Sequence, residues 1–241
     1  MIETTALCKG YGTFQAVKGL ELSVAAGEVY AFLGPNGAGK TTTIRMLIGS
    51  LVPTSGAARI DGLDCHSQRA EIMRHVGYLP DTPTFYDFLR GREILEFVGQ
   101  MHGMSDPEAR DKAAALLASF ALTEAGEDYA VNYSMGMKKK LGLACALIHE
   151  PKVLILDEPT SGLDPRASRD VQDRLVAIAA QGRTIFLSTH LLDMAERLSH
   201  RVGIIANGAL VAEGPIASLR RLHGDDATLE DMFLRETADA S

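Results

Sequence analysis

The chain has 241 residues, 46% of them apolar and 23% charged, with a formal net charge of −7. That is the make-up of an ordinary globular domain able to bury a sizeable core, and it excludes a disordered or fibrous chain. The acidic balance also speaks against a general nucleic-acid clamp, which needs a face rich in Lys and Arg, so no nucleic-acid partner is expected.

Cys8, Cys65 and Cys145 are scattered without CxxC or Cys/His spacing and read as reduced thiols rather than a disulfide framework or a zinc site. The opening MIETTALCKGYG lacks a basic segment followed by an apolar run, so no signal peptide is expected. The longest apolar stretches, such as 141–148, fall well short of the ~20 residues of a spanning helix. The chain is therefore expected to be soluble and not to cross a membrane by itself.

In chain order, residues 2–7 and 20–24 alternate or run apolar and predict strands, punctuated by Gly10, Gly12, Gly19 and Gly27. Residues 28–33 (EVYAFL) predict a buried strand that ends at the glycine-rich run opening with Gly34. From Lys40 to Ile48 the apolar spacing is helical, and Gly49 is placed to close the helix. After Pro53, TSGAARIDG predicts a hairpin turn and a short strand, and the composition shifts near Asp81. Between 91 and 150 three stretches carry helical periodicity: GREILEFVGQMHGM, DPEARDKAAALLASFAL and SMGMKKKLGLACALIHE. Asp106 and Pro107 read as N-cap and first helical residue of the second, and Lys138, Lys139 and Lys140 as a solvated face of the third.

From Lys152 strands and helices alternate: KVLILD, PRASRDVQDRLVAIAAQ, RTIFLST, LLDMAERLS and RVGIIA. Asn207-Gly208 predicts a tight hairpin turn, and SLRRLH and TLEDMFLRE predict two short helices. Such alternation implies an α/β fold with a mostly parallel sheet flanked by helices. The expected organisation is one domain: a β-rich core at roughly 1–81 and 151–213, a helical insertion at 82–150, and short C-terminal helices over 214–241.

Gly34, Pro35, Asn36, Gly37, Ala38, Gly39, Lys40 and Thr41 match GxxxxGK[ST] between an apolar strand and a helix, the context that gives the pattern meaning. Glycines let the backbone wrap tightly, so N–H groups from Gly37 to Thr41 can point at phosphate oxygens. The helix start adds partial positive charge. Lys40 supplies a cation for the β- and γ-phosphates, and the Thr41 hydroxyl suits Mg²⁺. The expected ligands are ATP and Mg²⁺.

The apolar run 153–156 ends in Asp157 and Glu158. Carboxylates at the mouth of a parallel strand stand where α/β sheets bind ligands. Asp157 can hold Mg²⁺, and Glu158 can orient or deprotonate a water attacking the γ-phosphate. His190 also follows a strand; by itself it reads either as a structural capping group or as a group that polarises a terminal phosphate.

These motifs, in this order, resemble the ATP-binding subunit of an ABC transporter along nearly the whole chain. The resemblance implies a P-loop NTPase core, an N-terminal antiparallel β subdomain and an inserted helical subdomain. It implies that Tyr11 stacks on adenine, that Thr42 joins the P-loop residues at the nucleotide, and that Ser161-Gly-Leu-Asp164 is the D-loop, with Asp164 at the nucleotide. It makes His190 the switch histidine that acts on the γ-phosphate. The family's LSGGQ signature stands here as Tyr133-Ser-Met-Gly-Met137, keeping Ser134 and Gly136, and Asp81 occupies the place of the Q-loop glutamine, as a residue that holds Mg²⁺. With Gly91-Arg-Glu93 and the ending TLEDMFLRET, these departures resemble the ABC-2 subgroup that serves export-type permeases.

The resemblance implies a Mg²⁺-dependent ATPase that powers a separate transmembrane permease from the cytoplasmic face of the cell membrane. Two such subunits, identical or different, sandwich ATP, each P-loop facing the partner's signature segment. Phe85, Tyr86 and Phe88 divide between core packing and a surface for the permease's cytoplasmic helices. Two other readings stay open: a soluble ABC-type ATPase in DNA repair or translation, and a catalytically weak nucleotide-sensing module.

Overall fold

The structure, a computed structural model, describes residues 1–223 and 228–238. Residues 224–227 and 239–241, part of the expected C-terminal segment, lie outside the described residues. The chain opens with β1 (Ile2–Tyr11), β2 (Phe14–Val24), β3 (Val29–Leu33), α1 (Lys40–Leu47), β4 (Ser55–Ile60), β5 (Leu63–Asp64), α2 (Arg69–Ile72) and β6 (Val76–Leu79). It continues through α3 (Gly91–Met101), α4 (Asp106–Ser119), α5 (Met135–Leu147), β7 (Val153–Asp157), α6 (Pro165–Ala179) and β8 (Thr184–Thr189). It closes with α7 (Leu192–Leu198), β9 (Arg201–Ala206), β10 (Ala209–Pro215), α8 (Ile216–His223) and α9 (Leu229–Ala238). Among the described residues no helix is long and apolar enough to cross a membrane. The chain divides into two compact units, residues 1–73 with 175–241, and residues 74–174.

The first unit holds an antiparallel sheet in the order β2-β1-β4-β5. Strands β1 and β2 run longer than the apolar pattern predicts, because register shifts absorb the glycines instead of ending the strands. Ala6 takes φ 44° and gives its N–H to Glu21 Oε1 at 2.7 Å, and Gly19 takes φ 61°. The same unit holds a second set of strands, with β3 parallel to both β8 and β9, and β10 antiparallel to β9. Every residue of β3 is buried, as its unbroken apolar run requires of a strand covered on both faces. Phe186 stacks on Tyr30 and leans on Phe32, with centroid separations of 5.7 and 5.4 Å. Burying each such ring stabilises the unit by roughly 1.5–3 kcal/mol. The Tyr30 hydroxyl donates to Glu213 at 3.0 Å, and Arg201 bridges Glu213 and Glu28, so the buried polar atoms of this layer are answered. Asn207 and Gly208, at φ 47° and 83°, form the expected tight turn between β9 and β10. Gly49, at φ 66°, follows the C-cap of α1 as expected.

In the second unit β6 and β7 pair in parallel, Val76 with Val153 through Leu79 with Leu156. Strand β6 escapes the sequence pattern because only four residues, next to Pro80, make it. Helix α3 packs against α4 and α5, and Gly99 is what lets α3 and α4 approach: a Cβ there would lie 3.2 Å from that of Ala109. The structure corrects two sequence expectations. The N-cap of α4 is Ser105, one residue before Asp106, so Asp106 starts the helix and Pro107 follows it, where the missing N–H is harmless. The three lysines of α5 are not a solvated face. Lys139 is 1% exposed, and Lys140 reaches Asp170 at 2.5 Å. Period-3.6 spacing puts Lys139 on the same face as Gly142 and Ala146, and all three are buried.

Helix α5 presses directly on β6: a Cβ on Gly77 would meet the Ala146 carbonyl oxygen at 2.0 Å and Leu154 Cδ2 at 2.7 Å. Gly77→Ala is expected to lower the unfolding free energy by about 2 kcal/mol or more, because the clash is with backbone. Urea denaturation checks this, and an unmoved midpoint would show that the helix can retreat without loss.

Candidate functional site

The first unit carries the phosphate loop. Strand β3 ends at Leu33, the chain turns through Gly34–Gly39, and α1 starts at Lys40 with Gly39 as its N-cap. Gly37 and Gly39 take φ 83° and 112°, values that an L side chain resists. At Gly39 there is also no room, since a Cβ would stand 2.5 Å from the Ala16 carbonyl oxygen. The cap makes no side-chain hydrogen bond and the first turn of α1 carries no acidic residue. A helix start with the positive end of its dipole at the loop and no acidic residue in its own first turn fits a phosphate. Lys40 is 6% exposed, and its ammonium lies over its own loop, donating to Gly34 O at 2.6 Å and Pro35 O at 3.3 Å. Thr43 closes the turn with its hydroxyl on Gly39 O at 3.0 Å, leaving Thr41 exposed and Thr42 half-buried at the mouth.

Beside the loop, Thr13, Phe14, Gln15, Ala16, Lys18, Gly37, Asn207 and Gly208 line a cavity of about 470 Å³. Gly208 N–H donates to Ala38 O at 3.0 Å, tying the β9–β10 turn to the phosphate loop. Tyr11 ends β1 half-exposed, pairs across the hairpin with Phe14, and carries the Lys9 ammonium 5.3 Å above its ring. His190 follows β8 and is exposed.

The second unit carries the carboxylates. Strand β7 is wholly buried and delivers Asp157, 1% exposed, and Glu158, 9% exposed, at its C-terminal end. Glu158 takes φ 47°, the left-handed region, and its carbonyl oxygen accepts from Ser161 N–H at 3.2 Å and from Lys139 Nζ at 2.6 Å. Asp81, half-exposed, lies beyond β6 with its carboxylate 3.5 Å from the same ammonium. Lys139 is the residue that sequence reasoning misses. The signal is present in its helical spacing with Gly142 and Ala146, but three consecutive lysines mask it.

Ser134 caps α5 through the Met137 N–H at 3.3 Å, as its place before the helix predicts, and Gly136 lies half-buried in the first turn. Asp164 caps α6, accepting from Arg166 N–H and Ala167 N–H at 2.9 Å each. Among the described residues no three His, Cys, Asp or Glu side chains gather as a metal cage. The Thr41 hydroxyl in the first unit and the Asp157 carboxylate in the second are each, taken singly, of a donor type that suits Mg²⁺, which keeps several waters and takes other ligands from substrate phosphates.

A family model described as ABC transporter matches residues 17–161, more than half of the chain. The chain belongs to the ABC transporter family. It is 40% identical to the daunorubicin/doxorubicin resistance ATP-binding protein of Streptomyces peucetius, over 93% of this chain and 68% of that protein. It is 43% identical to the Nod factor export ATP-binding protein I of Paraburkholderia xenovorans, over 90% of this chain and 72% of that one. A solved structure described as the ATP-binding subunit of an ABC transporter superposes with a TM-score of 0.90 at 34% identity, covering 98% of this chain and 99% of its own. As an ABC ATP-binding subunit the chain binds and hydrolyses ATP.

Because Gly39 combines a left-handed φ with backbone contact, Gly39→Ala should weaken ATP binding by about tenfold or more, the left-handed strain alone being of order 1–2 kcal/mol. Titration with a fluorescent ATP analogue measures this, with circular dichroism to confirm the fold. Unchanged affinity would mean that the loop does not need its present shape.

Proposed function

We propose that this ABC subunit is the Mg²⁺-dependent ATPase of an export system, working as a nucleotide-sandwich dimer on the cytoplasmic face of a membrane permease. The observation that carries the catalytic part is the setting of Glu158, a buried carboxylate at the end of a fully buried strand, held in a sparsely populated backbone conformation. Such strain is kept where the surroundings fix one orientation. In this reading Glu158 orients the attacking water and takes its proton. Gly34 through Thr42 hold the phosphates, with Lys40 supplying charge, Tyr11 meets the adenine, and His190 contacts the γ-phosphate. Thr41 and Asp157 would hold Mg²⁺, which supplies charge neutralisation on the phosphate oxygens.

The dimer reading is supported by the N-terminal turn of α5. Ser134 is exposed, Gly136 is half-buried, and Met135 between them is 42% exposed, so the signature segment is open to a second subunit's nucleotide. Asp164, exposed at the start of α6, belongs to the same proposed interface. A permease partner is supported by an apolar cavity of about 470 Å³ lined by Thr84, Phe85, Tyr86, Leu89, Ile94, Phe97, Val98 and Cys145. Tyr86 in its lining and Phe88, two residues on, are 70% and 87% exposed, a costly arrangement for a surface with nothing to cover it. Export follows the Nod factor export relative, and no nucleic-acid role is proposed.

Glu158→Gln is expected to slow turnover by roughly 10²–10⁴ while leaving ATP bound. Size-exclusion chromatography of that variant should then show a monomer-to-dimer shift on adding Mg-ATP. Turnover that survives the substitution would assign water activation to another group.

A further inference from the structure

We infer that Lys139 is a positioning residue of the hydrolytic centre, fixing the backbone of Glu158 with Asp81 as its counter-ion. This rests on the proposed ATPase mechanism, in which Glu158 directs the attacking water. Strands β6 and β7 are parallel neighbours, so the loops that leave their C-terminal ends emerge side by side. One carries Asp81, two residues past Leu79, and the other carries Glu158, one residue past Asp157. Helix α5 lies against this edge: a Cβ on Gly142 would meet Leu79 Cδ1 at 2.6 Å and Pro83 Cβ at 3.3 Å. One turn before Gly142, Lys139 reaches both loops.

Its ammonium donates to Glu158 O at 2.6 Å and lies 3.5 Å from Asp81 Oδ1, while the side chain is 1% exposed. An ammonium so enclosed is held by these oxygens or not at all. Burial pulls its pKa below the ordinary lysine value, and Asp81, followed by Glu158 and Asp157, pulls it back. The carbonyl that Lys139 grips belongs to a residue at φ 47°, which an L-amino acid occupies only when its surroundings dictate it. The direction of the Glu158 side chain follows from that backbone. A carboxylate at position 81 thus has a local partner: it balances the buried cation that aims the base.

The test compares turnover of the full chain at saturating Mg-ATP for the parent, Lys139→Met, Glu158→Gln and the double variant. A fluorescent ATP analogue monitors binding, and thermal melts monitor folding. Lys139→Met should lower kcat by about 10²-fold, the scale of a misplaced catalytic group. ATP affinity should change by no more than about twofold, and in the Glu158→Gln background the loss should shrink to about twofold, within ordinary additivity error. Equal losses in both backgrounds, or parent-like turnover, would overturn the proposal, because a merely structural lysine does not act through Glu158. If Lys139→Met does not fold, Lys139→Arg carries the same decision: it keeps the charge but not the single-point ammonium, and its loss should also vanish without Glu158. In a second cycle, Lys139→Met should cost less kcat in an Asp81→Asn background than in the parent, and strictly multiplicative losses would overturn the pairing. A parent without Mg-ATP turnover, or a fully active Glu158→Gln, would sink the ATPase reading together with this proposal; equal losses sink the proposal alone.

Discussion

An ammonium group taken out of water has to be surrounded by oxygen, and two lysines impose that demand on this chain. Lys40 meets it with the carbonyls of Gly34 and Pro35, and Lys139 with the carbonyl of Glu158 and the carboxylate of Asp81. In both places the backbone departs from ordinary strand or helix geometry. The phosphate loop uses Gly37 and Gly39 for this, where the left-handed region is open to a residue without a Cβ. The carboxylate loop uses Glu158 itself, which has to be held there. Both loops leave the C-terminal ends of wholly buried strands, β3 and β7, so the rigid part of each unit presents its charge at one defined edge.

Most of the fold is legible in the sequence because its signals are strong and local. Unbroken apolar runs announce β3 and β7, the alternation of strand and helix patterns announces β8 and β9, and the glycine pattern after β3 announces the phosphate loop. Where the pattern falls short, the cause is physical in each case. Strands β1 and β2 continue through their glycines because bulges accept an extra residue without breaking the ladder. Strand β6 is too short to show a period, and the cap of α4 lies one residue early because Ser105 and Asp106 are both competent caps. Lys139 reads as a surface residue from its charge, although its spacing places it on the buried face. A side chain long enough to reach polar atoms through an apolar layer defeats a rule based on residue type alone. At the site, the motif residues can be named from the sequence, but the cation behind Glu158 cannot, because its partners come from two distant loops.

The motif residues also have structural roles. Ser134 and Asp164 are the caps of α5 and α6, and Gly39 is the point where the phosphate loop touches the backbone of Ala16. Removing any of them disturbs a helix end or a loop before it disturbs a ligand. Loss of activity after mutation at these positions therefore measures two effects at once. Glu158→Gln changes one oxygen for one nitrogen at a fixed backbone, so it is a cleaner probe than any of the three.

The pairing of Lys139 with Asp81 has a consequence for the order in which such a chain can change. Asp81 is 52% exposed, so an aspartate at that position without a partner remains hydrated and is nearly neutral in energy. Lys139 is 1% exposed, and a lysine placed there without a facing carboxylate is a buried charge left short of oxygen. The accessible route puts the acid first and the base second, and reversion runs the other way, lysine before aspartate. The pair thus constrains the order of change and not its direction: once both are in place, changing Asp81 alone strands the lysine.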